Sequence, residues 1–219
     1  MATFVLIPGG WHGGWAYSAV ADALRSRGHT PVPVTLTGVG DRAHLAQPAV
    51  NLDTHIADVL AVIEQSDLRD VILVGHSYGG MVVSGVADRA PERVAGLVYV
   101  DAYVPNDGDS CWTLTTDAFR ATFAAGASGD GYSVQPPPRL DPRATAHPLA
   151  SLLQGIRLRH PMRHKRTYVF MTQWRATPFA DLFEKVRNDP EWTVHTMPTS
   201  HNVLTTMPVE LADLLVGTA

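Results

Sequence analysis

The chain has 219 residues, of which 45% are hydrophobic and 17% charged, and its formal net charge is −4. This length and composition predict one globular domain with a sizeable core. The slightly negative charge argues against a nucleic-acid-binding protein. Cys111 is the only cysteine, which excludes an intrachain disulfide.

The first residues lead directly into a short apolar run at positions 4–7, with no basic segment before it. This run is too short for a signal peptide and far too short for a membrane span. We therefore expect a cytoplasmic protein, monomeric or homodimeric, with no nucleic-acid or membrane partner.

Short β-branched runs alternate with helical patterns along most of the chain. The predicted strands cover residues 3–7, 30–35, 71–74, 94–100, 167–172 and 192–197. The predicted helices cover residues 15–27, 52–65, 78–89, 179–187 and 208–216. Such alternation indicates parallel strands joined by crossover helices. Prolines at positions 31 and 33 favour an edge position for the second strand.

The alternation stops between residues 105 and 165. This stretch contains a glycine-rich run at 126–131 and three prolines at 136–138, and it predicts only short helices at 116–125 and 149–157. We interpret it as a short cap insertion over the sheet, not as a second domain. Residues 1–104 and 166–219 would then form the two parts of the core.

A G-x-S-x-G pentapeptide occupies positions 75–79. It lies between a predicted buried strand and a predicted buried helix. A serine on the sharp turn between such elements projects its hydroxyl above the sheet. The flanking glycines suit that turn because it is strained and a neighbouring Cβ would clash. The pattern therefore predicts Ser77 as a nucleophile.

A serine nucleophile needs a base within hydrogen-bond reach and an acid that orients the base. In this topology the order along the chain is serine, acid, histidine. His201 follows the last predicted strand and precedes the closing helix, so it would lie on the same side of the sheet as Ser77. His201 is therefore the predicted base.

The acid is harder to assign. Its usual place is the loop after the penultimate strand, but residues 173–177 contain no carboxylate. Asp181 follows in a predicted helix, where it would face solvent near the helix start. Asp101 comes directly after the strand at 94–100 and is the predicted acid. The alternative is that Asp101 only caps the loop that follows it.

An oxyanion needs two preorganised N–H donors. One should be the backbone N–H of Tyr78, the residue after the nucleophile. The other should come from the glycine-rich loop at residues 8–15, with Gly10 or Trp11 as the donor and Gly10 preferred. This loop has neither the lysine nor the spacing of a nucleotide-binding loop, so a phosphate site is not expected.

Large aromatic side chains in and around the insertion predict an apolar pocket for a small molecule. The predicted pocket residues are Trp11, Tyr103, Trp112, Phe119, Phe123 and Trp174. The alternative role for these side chains is to hold the insertion onto the sheet. A basic run at 157–166 is interpreted as a solvated face, with an anionic substrate or partner as the alternative.

Several of these motifs together resemble a known family. The segments that resemble the small α/β-hydrolases of the plant methylesterase and hydroxynitrile lyase group are 4–15, 75–80 and 199–201. The segments 35–45 and 100–105 resemble the bacterial esterase-like members of that group. The resemblance implies the α/β-hydrolase fold, ester cleavage through an acyl-enzyme, and no metal or organic cofactor.

The chain departs from the resembled family in two ways. In the plant members the acid follows the penultimate strand, where this chain has Trp174. Hydroxynitrile lyases carry a threonine and a lysine at the positions of Gly9 and Asn202, which argues against cyanohydrin cleavage. A serine nucleophile also argues against the haloalkane dehalogenase and epoxide hydrolase branches.

The sequence therefore predicts a serine carboxylic-ester hydrolase that acts on a small to medium, apolar ester. Two alternatives stay open at this point. One is a cofactor-free lyase or cyclase that uses the same site on a natural-product intermediate. The other is a small-molecule-binding protein with a vestigial hydrolase site.

Overall fold

The computed structural model of the protein describes residues 1–138, 140–175 and 177–219. Its strands are β1 (Thr3–Ile7), β2 (Thr30–Pro33), β3 (Val71–His76), β4 (Val94–Val100), β5 (Ser133–Val134), β6 (His147–Pro148), β7 (Lys165–Met171) and β8 (Trp192–Met197). Its α-helices are α1 (Ser18–Ser26), α2 (Leu52–Gln65), α3 (Gly79–Arg89), α4 (Cys111–Leu114), α5 (Asp117–Gly126), α6 (Leu149–Leu153), α7 (Ala180–Val186), α8 (Val203–Thr206) and α9 (Pro208–Val216). Short 3₁₀ helices occur at Gly14–Tyr17, Gly40–Leu45 and Pro91–Arg93.

Six strands form one parallel sheet in the order β2-β1-β3-β4-β7-β8. The proline-containing strand β2 lies at the edge, as its sequence predicts. Successive residues of a strand face opposite sides of the sheet, and both sides are buried here. In β1, Val5 and Ile7 contribute to one apolar core, and Phe4 and Leu6 to the other.

Helices cover both faces of this sheet, which confirms the expected architecture. On one face α1 packs against α9. On the other face α2 packs against α3, and α6 of the insertion packs against α2. No helix within the described ranges is long and apolar enough to cross a membrane.

The region between β4 and β7 contains short elements, as the sequence indicates. These are α4, α5, the antiparallel pair of β5 and β6, and α6. Its buried side chains, Cys111, Phe123, Val134 and Leu152 among them, join the core on the α2 and α3 side of the sheet. The segment 105–164 is called the insertion below; that it acts as a cap stays a prediction.

One predicted helix is too long. The helix expected at 149–157 ends at Leu153. The chain beyond it is tied instead to the loop after β4, because the Ile156 N–H donates to Asp109 O and the Gly108 N–H donates to Ile156 O, both at 2.8 Å. These long-range bonds replace the next helical turn.

Candidate active site

The predicted site residues follow the carboxyl ends of parallel strands, which meet at one edge of the sheet. Gly10 lies beyond β1, Ser77 follows β3, and Asp101 follows β4. Trp174 lies beyond β7, and His201 lies beyond β8. Five segments distant in sequence therefore converge on one place.

Ser77 occupies a tight turn between β3 and α3. Its φ of 53° is left-handed, a conformation that costs energy for a residue with a side chain. Its N–H donates to Val100 O at 3.2 Å, and its C=O accepts from the Tyr103 N–H at 3.2 Å. A Cβ on Gly79 would lie 2.5 Å from Ile7 O, so only glycine permits this close approach to β1. The packing holds the serine against both neighbouring strands.

His201 and Asp101 are joined by a hydrogen bond of 2.7 Å between Nδ1 and Oδ2. The Asp101 side chain is fully buried, and its backbone also adopts a left-handed φ, of 44°. The Asp101 N–H donates to Val169 O at 2.8 Å, and the Met171 N–H donates to Asp101 Oδ1 at 3.4 Å. When Asp101 is ionised it only accepts, so His201 then carries its proton on Nδ1, and its Nε2 is free to accept another.

The electrostatics of this pair follow from its burial. Burial raises the pKa of Asp101 to about 7. Burial also lowers the pKa of His201, while an adjacent carboxylate acts in the opposite direction. At neutral pH the imidazole can therefore be uncharged, as a general base must be. Within the described residues the Ser77 hydroxyl makes no hydrogen bond, and such contacts often tighten only when substrate binds.

The His201 ring packs against two other aromatic rings. Its centroid lies 4.2 Å from that of Trp174, with a 35° angle between the planes, and 4.5 Å from that of His76, at 33°. The His76 Nε2–H donates to the His201 carbonyl at 2.9 Å. Trp174 thus packs on the predicted base, at the position where the resembled plant enzymes carry their acid. Asp181, the rejected alternative, lies exposed on α7.

The glycine-rich loop after β1 lies directly beside the serine. A Cβ on Gly9 would lie 3.0 Å from Ser77 Cβ. In the described part of the chain, the N–H groups of Gly10 and Tyr78 donate to no protein acceptor. Both are therefore available to a ligand, as the donors of an oxyanion hole must be.

A narrow cavity of about 30 Å³ adjoins Ser77. Its lining residues are Gly10, Trp11, Ser77, Tyr78, Tyr103, Phe119, Phe123, His147 and Leu152. Four predicted pocket residues are therefore among them, whereas Trp112 and Trp174 are not. Trp112, on α4, packs against the core. The Trp174 ring packs against the rings of His201 and Phe119, and its centroid lies 5.8 Å from that of Phe119.

A larger cavity of about 330 Å³ lies near His12, Trp15, His76 and Asn202, but Ser77 is not part of its wall. The smaller cavity is the candidate substrate site, because Ser77, Gly10 and Tyr78 all line it. The size of a cavity alone does not identify the site.

Three buried or half-buried histidines near the site have no recognisable sequence pattern. His55, on the apolar face of α2, lies 2.7 Å from the Tyr78 hydroxyl and 2.8 Å from Thr37 O. His12 lies 2.7 Å from Gly10 O through Nδ1. His147, in the insertion, lies 3.3 Å from the Trp11 N. Burial lowers the pKa of all three. The sequence analysis identified none of the three as part of the site.

This strand, turn and helix arrangement, with a histidine after the last strand, has the geometry of an α/β-hydrolase. A model of the alpha/beta hydrolase family matches residues 4–214. The chain therefore belongs to the α/β-hydrolase family.

Two relatives by sequence carry esterase names. The chain is 40% identical to a carbendazim hydrolyzing esterase of Nocardioides sp. (strain SG-4G) over an alignment of 243 positions, gaps included. This alignment covers 99% of each protein. It is 32% identical over 106 residues to the putative methylesterase 14, chloroplastic, of Arabidopsis thaliana, which covers 48% of this chain and 30% of the relative.

One solved structure is similar over the whole chain. It is an extracellular α/β-hydrolase from a Paenibacillus species, described as structurally and functionally homologous to tobacco salicylic acid binding protein 2. The TM-score is 0.87 at 24% identity, with 100% of this chain and 99% of that chain covered. At this identity the match supports the fold alone. Together the family and the relatives by sequence confirm the predicted α/β-hydrolase fold and the predicted class of carboxylic ester hydrolase.

Proposed function

We propose that the protein hydrolyses small to medium, apolar carboxylic esters through an acyl-enzyme on Ser77. The observation that carries this proposal is the 2.7 Å hydrogen bond between His201 and Asp101 at the strand ends beside Ser77. The predicted serine, acid and histidine, which follow one another in that order along the chain, meet at this edge of the sheet. Asp101 takes the role of the acid that the loop after β7 does not supply.

In the acylation step the Ser77 Oγ attacks the ester carbonyl carbon while His201 Nε2 takes the hydroxyl proton. The carbonyl electron pair moves onto oxygen, and the N–H groups of Gly10 and Tyr78 stabilise that oxyanion. The tetrahedral intermediate collapses, the alkoxide leaves with the proton from His201, and the acyl group stays on Ser77. Asp101 holds the imidazole in the tautomer that this transfer needs.

Deacylation repeats the sequence with water as the nucleophile. His201 takes a proton from water, the resulting hydroxide adds to the acyl carbon, and the same N–H groups hold the oxyanion. Collapse expels the Ser77 oxygen, which regains its proton from His201. The carboxylic acid product then leaves the pocket.

The apolar character of the proposed substrate follows from the lining of the cavity at Ser77. Its walls are mainly aromatic rings, including Tyr103, Phe119 and Phe123. Its volume of about 30 Å³ holds only a small group, so the rest of a larger ester would extend out of it. Such walls favour a small or flat apolar group. The Nocardioides relative is named for the hydrolysis of carbendazim, a planar aromatic methyl carbamate. Carbendazim is a candidate substrate because the chain matches 99% of that relative's length. A membrane or nucleic-acid partner is not part of the proposal.

The cytoplasmic location and the monomeric or homodimeric state stay predictions of the sequence. Gel filtration with light scattering tests the second of these. The ester substrate is the partner for which the site offers direct support.

Active-site labelling tests the proposed function. A fluorophosphonate should add to Ser77 alone, located by intact-mass and peptide mapping. The Ser77→Ala variant should lose both the label and, by analogy with other serine triads, about 10⁶-fold in kcat for p-nitrophenyl acetate. Label on another serine, or equal activity in the variant, would overturn the proposal.

A second assay tests whether carbamate esters are among the substrates. Carbendazim hydrolysis releases methanol and, after loss of carbon dioxide, 2-aminobenzimidazole, both measurable by mass spectrometry. Ser77-dependent release supports carbamate esters as substrates. Turnover of p-nitrophenyl acetate without carbendazim turnover restricts the proposal to simple carboxylic esters.

A further inference from the structure

Trp11 is held by the insertion through three hydrogen bonds. The Trp11 N–H donates to His147 Nδ1 at 3.3 Å, and its C=O accepts from the Thr145 N–H at 3.0 Å. The indole Nε1–H donates to Val134 O at 2.9 Å. These bonds, hereafter the Trp11 clamp, use every polar group that Trp11 has. No partner in the clamp belongs to the sheet or its flanking helices.

The backbone of Trp11 needs such support. Its φ of 67° is left-handed, a strained conformation for a residue with a large side chain. A conformation of this kind persists only where the surroundings over-determine it. Because Trp11 directly follows Gly10, its conformation sets the orientation of the peptide plane beside the predicted oxyanion donor.

That peptide plane is fixed at both of its polar atoms. Since a carbonyl only accepts, the His12 Nδ1–H donates to Gly10 O at 2.7 Å. The N–H of the same peptide unit belongs to Trp11 and donates to His147. One histidine from the loop and one from the insertion therefore hold the unit that joins Gly10 to Trp11. The Gly10 N–H belongs to the preceding peptide unit, so this hold reaches it through the Gly10 Cα.

The protonation of His147 is determined by its other neighbours. The Ser151 hydroxyl donates to Pro148 O at 2.7 Å, so its oxygen accepts from the His147 Nε2–H at 2.9 Å. Nδ1 is then unprotonated and can accept from Trp11. Burial lowers the pKa of His147 well below its usual value, so the ring stays neutral. If His147 were protonated, both of its ring nitrogens would be donors, and neither could accept from the Trp11 N–H.

We propose that His147 is a positioning residue for the oxyanion hole, through which the insertion orients the N–H of Gly10 toward the substrate. The His147 ring also packs on Tyr78, with centroids 4.7 Å apart, so it contacts one predicted donor residue and the neighbour of the other. This inference rests on the proposed function, since it assigns a role within the same reaction. The insertion then has a second task besides covering the pocket.

Two substitutions of His147 separate its two hydrogen bonds. In His147→Asn, the amide oxygen can take the place of Nδ1 and accept from the Trp11 N–H. In His147→Gln, the longer amide reaches the Nε2 position toward Ser151 and leaves the Trp11 N–H without an acceptor. His164→Gln is the matched control. His164 is also a histidine of the insertion, but it bonds to Pro91 O before the start of β4, at the edge of the sheet opposite to Ser77.

The measurements are kcat and KM for p-nitrophenyl acetate and Ki for a trifluoromethyl ketone, whose adduct with serine carries an oxyanion. His147→Gln should lose about 10- to 100-fold in kcat with KM nearly unchanged, because misplacing a donor weakens transition-state binding. Its Ki should rise by the same factor, and its pH profile should match wild type. His147→Asn should retain activity within about threefold of wild type, and His164→Gln should behave as wild type.

Equal loss in His147→Asn and His147→Gln would overturn the inference, as would a change in KM without a change in Ki. If His147→Gln does not fold, Trp11→Phe removes the bond to Val134 O from the other side of the clamp and should raise Ki in the same way. Hydrogen exchange at the Trp11 amide provides a readout independent of catalysis. If wild type shows no Ser77-dependent activity, the proposed function fails, and unchanged exchange in His147→Gln would separately refute the clamp.

Discussion

The two sides of the candidate active site are built from different parts of the chain. On the proton-transfer side, Asp101 and His201 directly follow strands of the parallel sheet and are bonded to each other. On the oxyanion side, Gly10 belongs to a loop whose conformation is held by Trp11 and by residues of the insertion. The sheet determines the first side, and contacts with an irregular segment determine the second. Changes on the two sides should therefore have distinguishable kinetic effects.

After the loss expected for Ser77→Ala, the largest expected effect on the proton-transfer side comes from Asp101→Asn. The amide is nearly isosteric with the carboxyl group, but it favours the wrong tautomer of His201, so kcat should fall by about 10⁴-fold. Steady-state kinetics with p-nitrophenyl acetate measure the loss, and circular dichroism checks the fold. Asp181→Asn is the matched control and should be unimpaired, since Asp181 is exposed on α7.

Impairment of Asp181→Asn in place of Asp101→Asn would show that the acid has been misassigned. If both variants keep full activity, the protein works without an orienting acid, and the proton-transfer side consists of Ser77 and His201 alone.

The next effect concerns pH. Asp101 and His201 share a hydrogen bond and titrate as a pair. Burial raises the pKa of Asp101 to about 7, so the pair takes up its first proton near neutrality as the pH falls. That proton removes the free base, and kcat/KM should then drop about tenfold per pH unit. In Asp101→Asn the residual activity should persist to lower pH, because burial lowers the pKa of His201.

A profile of kcat/KM from pH 5 to 9 checks this expectation with a buffer series of constant ionic strength. A profile that stays flat down to pH 5 contradicts the assignment of His201 as the base. On the oxyanion side, by contrast, His147→Gln should lower the whole profile without moving its midpoint.

The smallest effect is expected at Trp174. Its ring lies 4.2 Å from that of His201 and can stabilise the imidazolium formed during proton transfer. A cation–π contact of this kind contributes about 0.5–1 kcal/mol, so Trp174→Leu should lower kcat by roughly two- to fivefold. Trp174→Phe should restore most of the loss. Trp192→Leu, at the start of β8 and away from His201, is the control. A higher KM with unchanged kcat would instead show that Trp174 contacts the substrate.

The residues predicted for the proton-transfer side have local signals in the sequence, and their catalytic roles stay predictions. Asp101 comes directly after an apolar run, His201 lies a few residues beyond the last predicted strand, and the G-x-S-x-G pattern marks Ser77. The helix predicted at 52–65 also has the observed bounds of α2, where the Asn51 side chain accepts from the Thr54 N–H at its start. Local chemistry was sufficient in these places.

The oxyanion side could be predicted only in part. The glycine-rich loop points to Gly10, but the bond between Trp11 and His147 joins residues 136 positions apart. No pattern of spacing or composition encodes such a contact. The helix predicted to run to residue 157 failed for the same reason, since long-range bonds to the loop at 108–109 end it early.

Left-handed backbone at Trp11, Ser77 and Asp101 also bears on how this protein can be improved. Glycine adopts that conformation without strain, so replacing any of these three residues by glycine would relieve backbone strain in the native state. Glycine also increases the conformational entropy of the unfolded chain, which opposes that gain. Laboratory selection for heat resistance alone would therefore tend to erode the site. Screens for more robust variants should assay turnover in every round and should seek their gains in the helices behind the sheet.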